Sequence, residues 1–353
     1  MYICTVSTLF HPHNSAKLRK KEGDLGNRRL LDQVRDKIRL KHYSIRTEEA
    51  YIFWIKDYII FNHKKHPIEM GAVEITKYLT WLATRKNVAA STQNQALNAI
   101  VFLYKQVLNK EVGNISGVIR AKKPILVPAV LSCFEVKKIL ASTNGIWRVM
   151  IGLLYGSGIC CMECLRLRIK DIDFDRNQLN VRDGKGKKDR YTMLPDTLKD
   201  ELKKHLEFVF SQYKKDLSQG YGTVYLPYAL ERKYPHAAKE WSWQYVFPSH
   251  KFSRDPRTGR IQRHHVSEDS LNRAIKKGVK TAQIFKKVTS HTFRHSFATH
   301  LVEDGIALHE IQELLGHKNI ETTRIYLHVA QTGASNRTSP FDKLNKVHPS
   351  SVK

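Results

Sequence analysis

Cysteine is scarce and odd in number, five among 353 residues. That is no disulfide framework for a chain of this length and fits a reducing compartment. Long apolar runs are missing too: no uninterrupted stretch approaches the roughly 20 residues that span a bilayer. The N-terminal MYICTVSTLFHPHNS has no basic region followed by a sustained apolar core, which argues against a secretory signal. Nor does any segment pair a strong apolar face with a basic one, as an interfacial helix would. These absences predict a cytoplasmic protein without membrane contact. Acidic residues are the third shortage, with 33 Asp+Glu against 60 Lys+Arg, a formal charge of +27. A surplus of that size favours a polyanionic partner, and nucleic acid fits best, because phosphate contacts that release counterions supply most non-specific affinity.

What is present reads as two domains. Residues 1–29 are polar and basic, without periodicity, and read as an appendage. From Leu30 apolar residues recur at helical spacing: Leu31, Val34 and Ile38; then Ala50, Tyr51, Trp54, Ile55, Tyr58 and Ile59; then Ile75, Tyr78, Leu79 and Leu82; then Leu97, Ile100, Val101, Tyr104 and Leu108. Thr47 is the expected N-cap of the second helix, and Thr92 with Gln95 the expected capping box of the fourth. The pattern predicts a four-helix domain over residues 30–109, a Gly/Pro/Lys-rich linker over 110–128, and a second domain over 129–331. In that second domain Cys133–Leu140 and Ile146–Tyr155 read as helices, and LLYGSGICCMECLRLR as another buried helix. Short strands are expected at Asp171–Phe174, Gln178–Asp183 and Asp189–Leu194, the last two joined by a basic GKGKKD tip. Leu198–Tyr213 is helical again. The fold class is therefore mainly α with a small β-sheet. An insertion at about 214–248 is dense in Tyr, Trp and Pro; it reads either as a satellite core or as a surface for stacking unpaired bases. The tail, 332–353, is polar apart from SPFDKL.

The densest chemistry lies between Ser290 and Val329, which brings His291, Arg294, His295, His317 and Tyr326 into one run. Arginine matches phosphate oxygens with a fixed fork of donors, histidine moves protons near neutral pH, and tyrosine can be an oxygen nucleophile. The histidine spacing matches no compact zinc pattern. Cys161-x-x-Cys164 has no second pair to complete a metal site.

HTFRHSFATHL, LLGHKN and TTRIYLHV, with the tyrosine nine positions after the Gly-His turn, resemble the signature of the tyrosine recombinases. YGSG followed by ECLRLRIKDIDF, and the GKGKKDR hairpin, extend the resemblance upstream. The aromatic insertion and RHH resemble the integron integrase subgroup. The resemblance implies an N-terminal core-binding domain and a mixed α/β catalytic domain that clamp DNA, with Tyr326 as the nucleophile forming a 3′-phosphotyrosine. It further implies Lys185 as the general acid, Arg294 as the phosphate clamp, His291 and His317 as assisting groups, and Glu163 as a supporting carboxylate. No metal or organic cofactor is implied. The implied partners are double-stranded and hairpin single-stranded recombination sites, bound by a homo-tetramer whose C-terminal tails pack into neighbours. The implied setting is a bacterial cytoplasm, at the nucleoid. Trp243, Pro256, His264 and His265 match positions that would meet protruding bases, and Lys187 and Arg190 are expected at the DNA.

One departure stands out. Where the family places its first catalytic arginine, after Gly-Leu in GSGLR-x-x-E, this chain reads GSGICCME, so Cys160 occupies the position. A thiol offers no bidentate cationic fork. Arg166 does not replace it, being six residues further on and, at roughly 100° per residue, on another side of a helix. The expectations are an active recombinase or a DNA-binding relic that no longer cleaves; a type IB topoisomerase, which shares the chemistry, lacks such an insertion.

Overall fold

The computed structural model describes residues 29–112, 128–182, 189–226, 230–256 and 258–332. The basic appendage up to residue 28, most of the linker, the GKGKKD tip except its last residue, and the SPFDKL tail fall outside the described residues. Contacts divide the chain into Met1–Ile125 and Leu126–Lys353.

The first unit contains α1 (Leu30–Leu40), α2 (Ile45–Phe61), α3 (Ala72–Thr84) and α4 (Ala90–Phe102), the last running into a π-turn at Leu103–Val107. The apolar stripes meet in one core, with Val34, Ile38, Ile55, Ile75, Leu79 and Ile100 all fully or nearly fully buried. Its tyrosines are buried with their hydroxyls paired: Tyr58 with Tyr104 at 3.1 Å and Tyr78 donating to Asp57 at 2.7 Å. Left unpaired, each would cost about 1–3 kcal/mol. Two helix starts differ from expectation. Ser44, not Thr47, caps α2, its Oγ accepting the Thr47 amide at 3.1 Å. The helix of Thr92 begins earlier, at Ala90, and Gln95 instead accepts from the Trp54 indole at 3.3 Å; a tertiary contact takes the side chain a capping box would need.

The second unit is built on α5 (Cys133–Ala141), α6 (Gly145–Gly156), α7 (Cys161–Arg166), α8 (Lys199–Ser218), α9 (Glu268–Thr281), α10 (Ser290–Glu303), α11 (Leu308–Leu315) and α12 (Glu321–Thr332). Strands β1 (Ile172–Asp173), β2 (Gln178–Val181) and β3 (Arg190–Met193) form an antiparallel sheet, with Val181 opposite Arg190 beside the hairpin tip. Strands β4 (Pro248–Arg254) and β5 (Ile261–His265) form a separate hairpin. Arg263 ties that hairpin to α8 through a bidentate ion pair, donating to the two carboxylate oxygens of Asp216 at 2.5 and 2.7 Å. Helix α6 is buried from Val149 to Leu154 and lies in the main core with Phe293 of α10.

The expected single helix through GSGICCMEC is two helices. The chain breaks after Gly156, and Gly158 turns it at φ +61°, where a β-carbon would run into the Phe297 ring. Glycine is the residue that takes this conformation without penalty. The break decides the site, because it moves Cys160 out of a helix interior to the N-cap of α7.

Candidate active site

Glu163 is the third residue of α7, and its Oε2 accepts the Cys160 amide at 2.7 Å, closing a capping box. The same carboxylate takes a bidentate ion pair from Arg190 of β3, at 2.7 and 2.9 Å, and lies 3.4 Å from Nη1 of Arg294 on α10. Burial by itself would raise its pKa; the bonds and charge of Arg190, the charge of Arg294 and the Cys160 amide overcome that and hold Glu163 at about 2. The carboxylate is an anion framed by two cations.

The two arginines also finish a helix. The last carbonyls of α11 have no partner within the helix. Arg190 Nε donates to Leu314 O at 2.8 Å, and Arg294 Nη2 to Leu315 O at 2.5 Å. Gly316 then turns the chain in the left-handed region, φ +68°. Arg294 Nη1 reaches Gly158 O at 2.7 Å, so this 9 % exposed side chain joins the break before α7 to the end of α11. Burial pushes its guanidinium pKa down, with Glu163 pulling the other way.

The turn after α11 delivers His317. Its Nδ1 pairs with Thr323 Oγ1 at 2.9 Å, and its ring lies 6.3 Å from that of Tyr326 at an interplanar angle of 16°. Tyr326 is only 2 % exposed, packed with Phe297, Ala298, Ile311 and Leu315. Burial raises its hydroxyl above the usual phenol range, and Arg294 opposes the shift. The hydroxyl lies 3.0 Å from Nδ1 of His295. Burial, then the charges of His291 and Arg294, push His295 down to about 4, so its imidazole is neutral at pH 7. His291, one helical turn back, is exposed, its ring 6.3 Å from that of His295.

Tyr326, Arg294, His317 and Glu163 are thus brought into one neighbourhood, and His291 lies at its edge. Lys185 and Lys187 lie outside the described residues, although β2 and β3 hold the two ends of their hairpin. Arg190, expected at the DNA, is instead buried: its side chain is 9 % exposed and committed to Glu163 and Leu314. Its alternation along β3 points it inward. Cys160 is half-buried, and burial followed by the charge of Glu163 raises its thiol pKa, leaving a neutral group. Among the described residues no cluster of three His, Cys, Asp or Glu side chains could hold a metal ion.

The insertion has a small core of Val224, Leu226, Ala237, Ala238 and Tyr245, with Trp243 packed against it. Arg168 holds this layer by donating to Trp243 O at 2.5 Å and Tyr225 O at 2.7 Å, and Lys170 covers the Trp243 ring. His264 and His265 lie 3.9 Å apart, against Tyr245. Burial and then His264 push His265 down to about 4. Pro256 is exposed at the tip between β4 and β5. The sequence puts His295 in the reactive run without singling it out as the tyrosine's partner, and it does not announce that Arg190 spends its donors on Glu163 and Leu314. Four-residue spacing from His291 put His295 on the same helical face, but nothing local announced which histidine meets the tyrosine.

Residues 129–332 match the Phage integrase family, and residues 30–114 match the phage integrase N-terminal SAM-like domain. An Escherichia coli protein named Integrase/recombinase is 43 % identical over 316 residues, covering 90 % of this chain and 94 % of that one, and a Pseudomonas aeruginosa protein of the same name gives the same figures. The crystal structure of XerH site-specific recombinase bound to palindromic difH substrate, a post-cleavage complex, shares the fold. Its TM-score is 0.57 at 19 % identity, and the match covers 90 % of this chain and 87 % of that one.

Proposed function

The chain belongs to the phage integrase family, the tyrosine recombinases, and from that premise we propose an integron-type integrase that inserts and excises gene cassettes through a 3′-phosphotyrosine. The observation that carries the chemistry is the meeting of a buried tyrosine hydroxyl with a neutral imidazole beside the Arg294 guanidinium. In this reading Tyr326 attacks the scissile phosphate, and Arg294 stabilises charge on its oxygens. His291 and His317 hydrogen-bond the phosphate, Glu163 holds Arg294 and Arg190 in place, and Lys185 protonates the departing 5′-oxygen. The phosphotyrosine keeps the bond energy, so rejoining needs no ATP. The active assembly is a homo-tetramer on two DNA sites, with residues 332–353 packing into a neighbour. The excess of cationic residues supports such a footprint.

The aromatic insertion supports the integron assignment. In this reading Trp243, Pro256, His264 and His265 meet bases that protrude from a folded single strand, and Lys187 meets the backbone. A second reading, a DNA-binding remnant that no longer cleaves, is favoured by one observation, the neutral Cys160 at an arginine position. Losing one transition-state donor costs on the order of a hundred- to thousandfold in rate. A duplex site selected by the chain from a random library, nicked so that the adduct is trapped, separates the readings. A Tyr326-dependent adduct supports the enzyme, and an adduct seen only with Cys160→Arg supports the remnant. No adduct with either sinks the recombinase proposal.

A further inference from the structure

The three histidines around Tyr326 are not equivalent. His317 faces the flat of the phenol ring and has its Nδ1 on Thr323. His291 is exposed, and its ring lies 6.3 Å from that of His295 rather than against the tyrosine. His295 has a ring nitrogen at the nucleophilic oxygen, Nδ1 to Oη at 3.0 Å. With the phenol as donor, Nδ1 accepts and the ring proton of the neutral imidazole sits on Nε2.

We propose that His295 is the base that accepts the Tyr326 proton as the phenol attacks the scissile phosphate, a role that rests on the recombinase reading. The balance is closed. The Tyr326 Oη–P bond forms as the P–O5′ bond breaks, the phenol proton moves to His295 Nδ1, and the leaving oxygen takes a proton from the general acid. In rejoining, the 5′-hydroxyl attacks and gives its proton back to the deprotonated general acid, the Oη–P bond breaks, and His295 returns its proton to the departing phenolate.

The electrostatics make this base conditional. The groups that face His295 are His291 and Arg294 on its own helix, Tyr326 on α12, and His317 behind the phenol. With the imidazole held at about 4 and the phenol raised by burial, the proton stays on Tyr326 in the DNA-free protein. A phosphate beside Arg294 brings negative charge to the guanidinium that adds to the effect of burial on His295, and an anion at short range favours the protonated ring. Basicity then rises when the substrate arrives, and the nucleophile stays dormant without DNA.

The test measures single-turnover adduct formation at saturating selected, nicked duplex for the parent, His295→Asn and His295→Ala. Asparagine can accept the tyrosine hydrogen bond through Oδ1 but cannot carry the proton. Both variants are expected to form adduct ~100-fold more slowly or worse, with DNA affinity within about threefold of the parent, a shift worth under 1 kcal/mol. Added imidazole is expected to restore part of the rate to His295→Ala. A His295→Asn rate equal to the parent's overturns the proposal, since it leaves positioning alone. Failure of imidazole to accelerate a folded His295→Ala overturns it as well; if that variant does not fold, the asparagine arm decides. Where the parent gives no adduct, the series is run in Cys160→Arg. No adduct there removes the recombinase reading and this role together, whereas adduct that is indifferent to residue 295 removes this role only.

Discussion

Arg190 and Glu163 form a bidentate ion pair at 2.7 and 2.9 Å, both side chains 9 % exposed. This pair joins the strand after the basic hairpin to the helix behind Cys160. It also settles what Arg190 can do: its Nε is on Leu314 O and both terminal nitrogens are on Glu163. Arg190 therefore does not stand in for the arginine missing at position 160. It holds the carboxylate and the end of α11 in register for Arg294.

Removing the carboxylate should be costly. Glu163→Gln leaves Arg190 buried without its counter-charge, and breaking one side of a buried pair typically costs about 3–5 kcal/mol. The pH dependence has a definite sign. The folded pKa, about 2, lies below the ordinary 4.5, so the stabilisation is complete above pH 4.5 and is lost as pH falls through 2. At about 1.4 kcal/mol per unit the shift is worth roughly 3 kcal/mol. Urea unfolding of parent and variant from pH 7 to 2 should give curves that converge at the acid end. A constant gap across that range would remove the charge from the explanation.

Two histidines titrate before Glu163 does. His295 and His265 are both held at about 4, below the ordinary 6.5. Their folded pKa values are depressed, so the unfolded chain binds more protons and stability falls as pH drops from 6.5 towards 4. His265→Gln should flatten part of that limb, and His295→Gln another part. Thermal unfolding across pH 7.5–4 measures both.

Gly316 carries a backbone requirement and a packing one. At φ +68° an L-residue is strained, and a β-carbon would lie 2.8 Å from Arg190 Cδ. Gly316→Ala should destabilise by about 1–2 kcal/mol from conformation alone. It should also displace Arg190 from Leu314, lowering adduct yield more than stability predicts. A lower Tm with an unchanged adduct rate would contradict the coupling.

The helical periods were legible because each element buries one continuous stripe; Val34 with Ile38, and Ile75 with Leu79, reached the core as spaced. The hairpin strands were legible from the turn residues between them. The helix break at Gly158 was not, since LLYGSGICC is apolar enough to read through, and only the approach of Phe297 shows why glycine is required. The partners of Arg190 were hidden for a related reason. A basic residue beside a basic tip suggests solvent and DNA, whereas its partner lies 27 residues away on another element. His295 failed on the same ground, because local spacing fixes a face of a helix and not what that face meets.

Restoring arginine at position 160 tests how much of the machinery survives. The site has one carboxylate, Glu163, between Arg190 and Arg294. A third guanidinium at the α7 N-cap adds like charge beside Arg294, and it faces the positive end of the helix dipole, which disfavours a cation. In the DNA-free protein Cys160→Arg should therefore lower stability, by about 1 kcal/mol. Phosphate reverses the balance, since the new fork has an anion to bind and repulsion becomes shared neutralisation. The variant should form the Tyr326 adduct ~100- to 1,000-fold faster than the parent, with a Tm that rises more on adding DNA than the parent's does. Cys160→Lys separates charge from geometry. If the planar fork matters, lysine recovers only a small part of the rate while matching the loss of stability. Equal rates for arginine and lysine would show that position 160 needs a positive charge and nothing more.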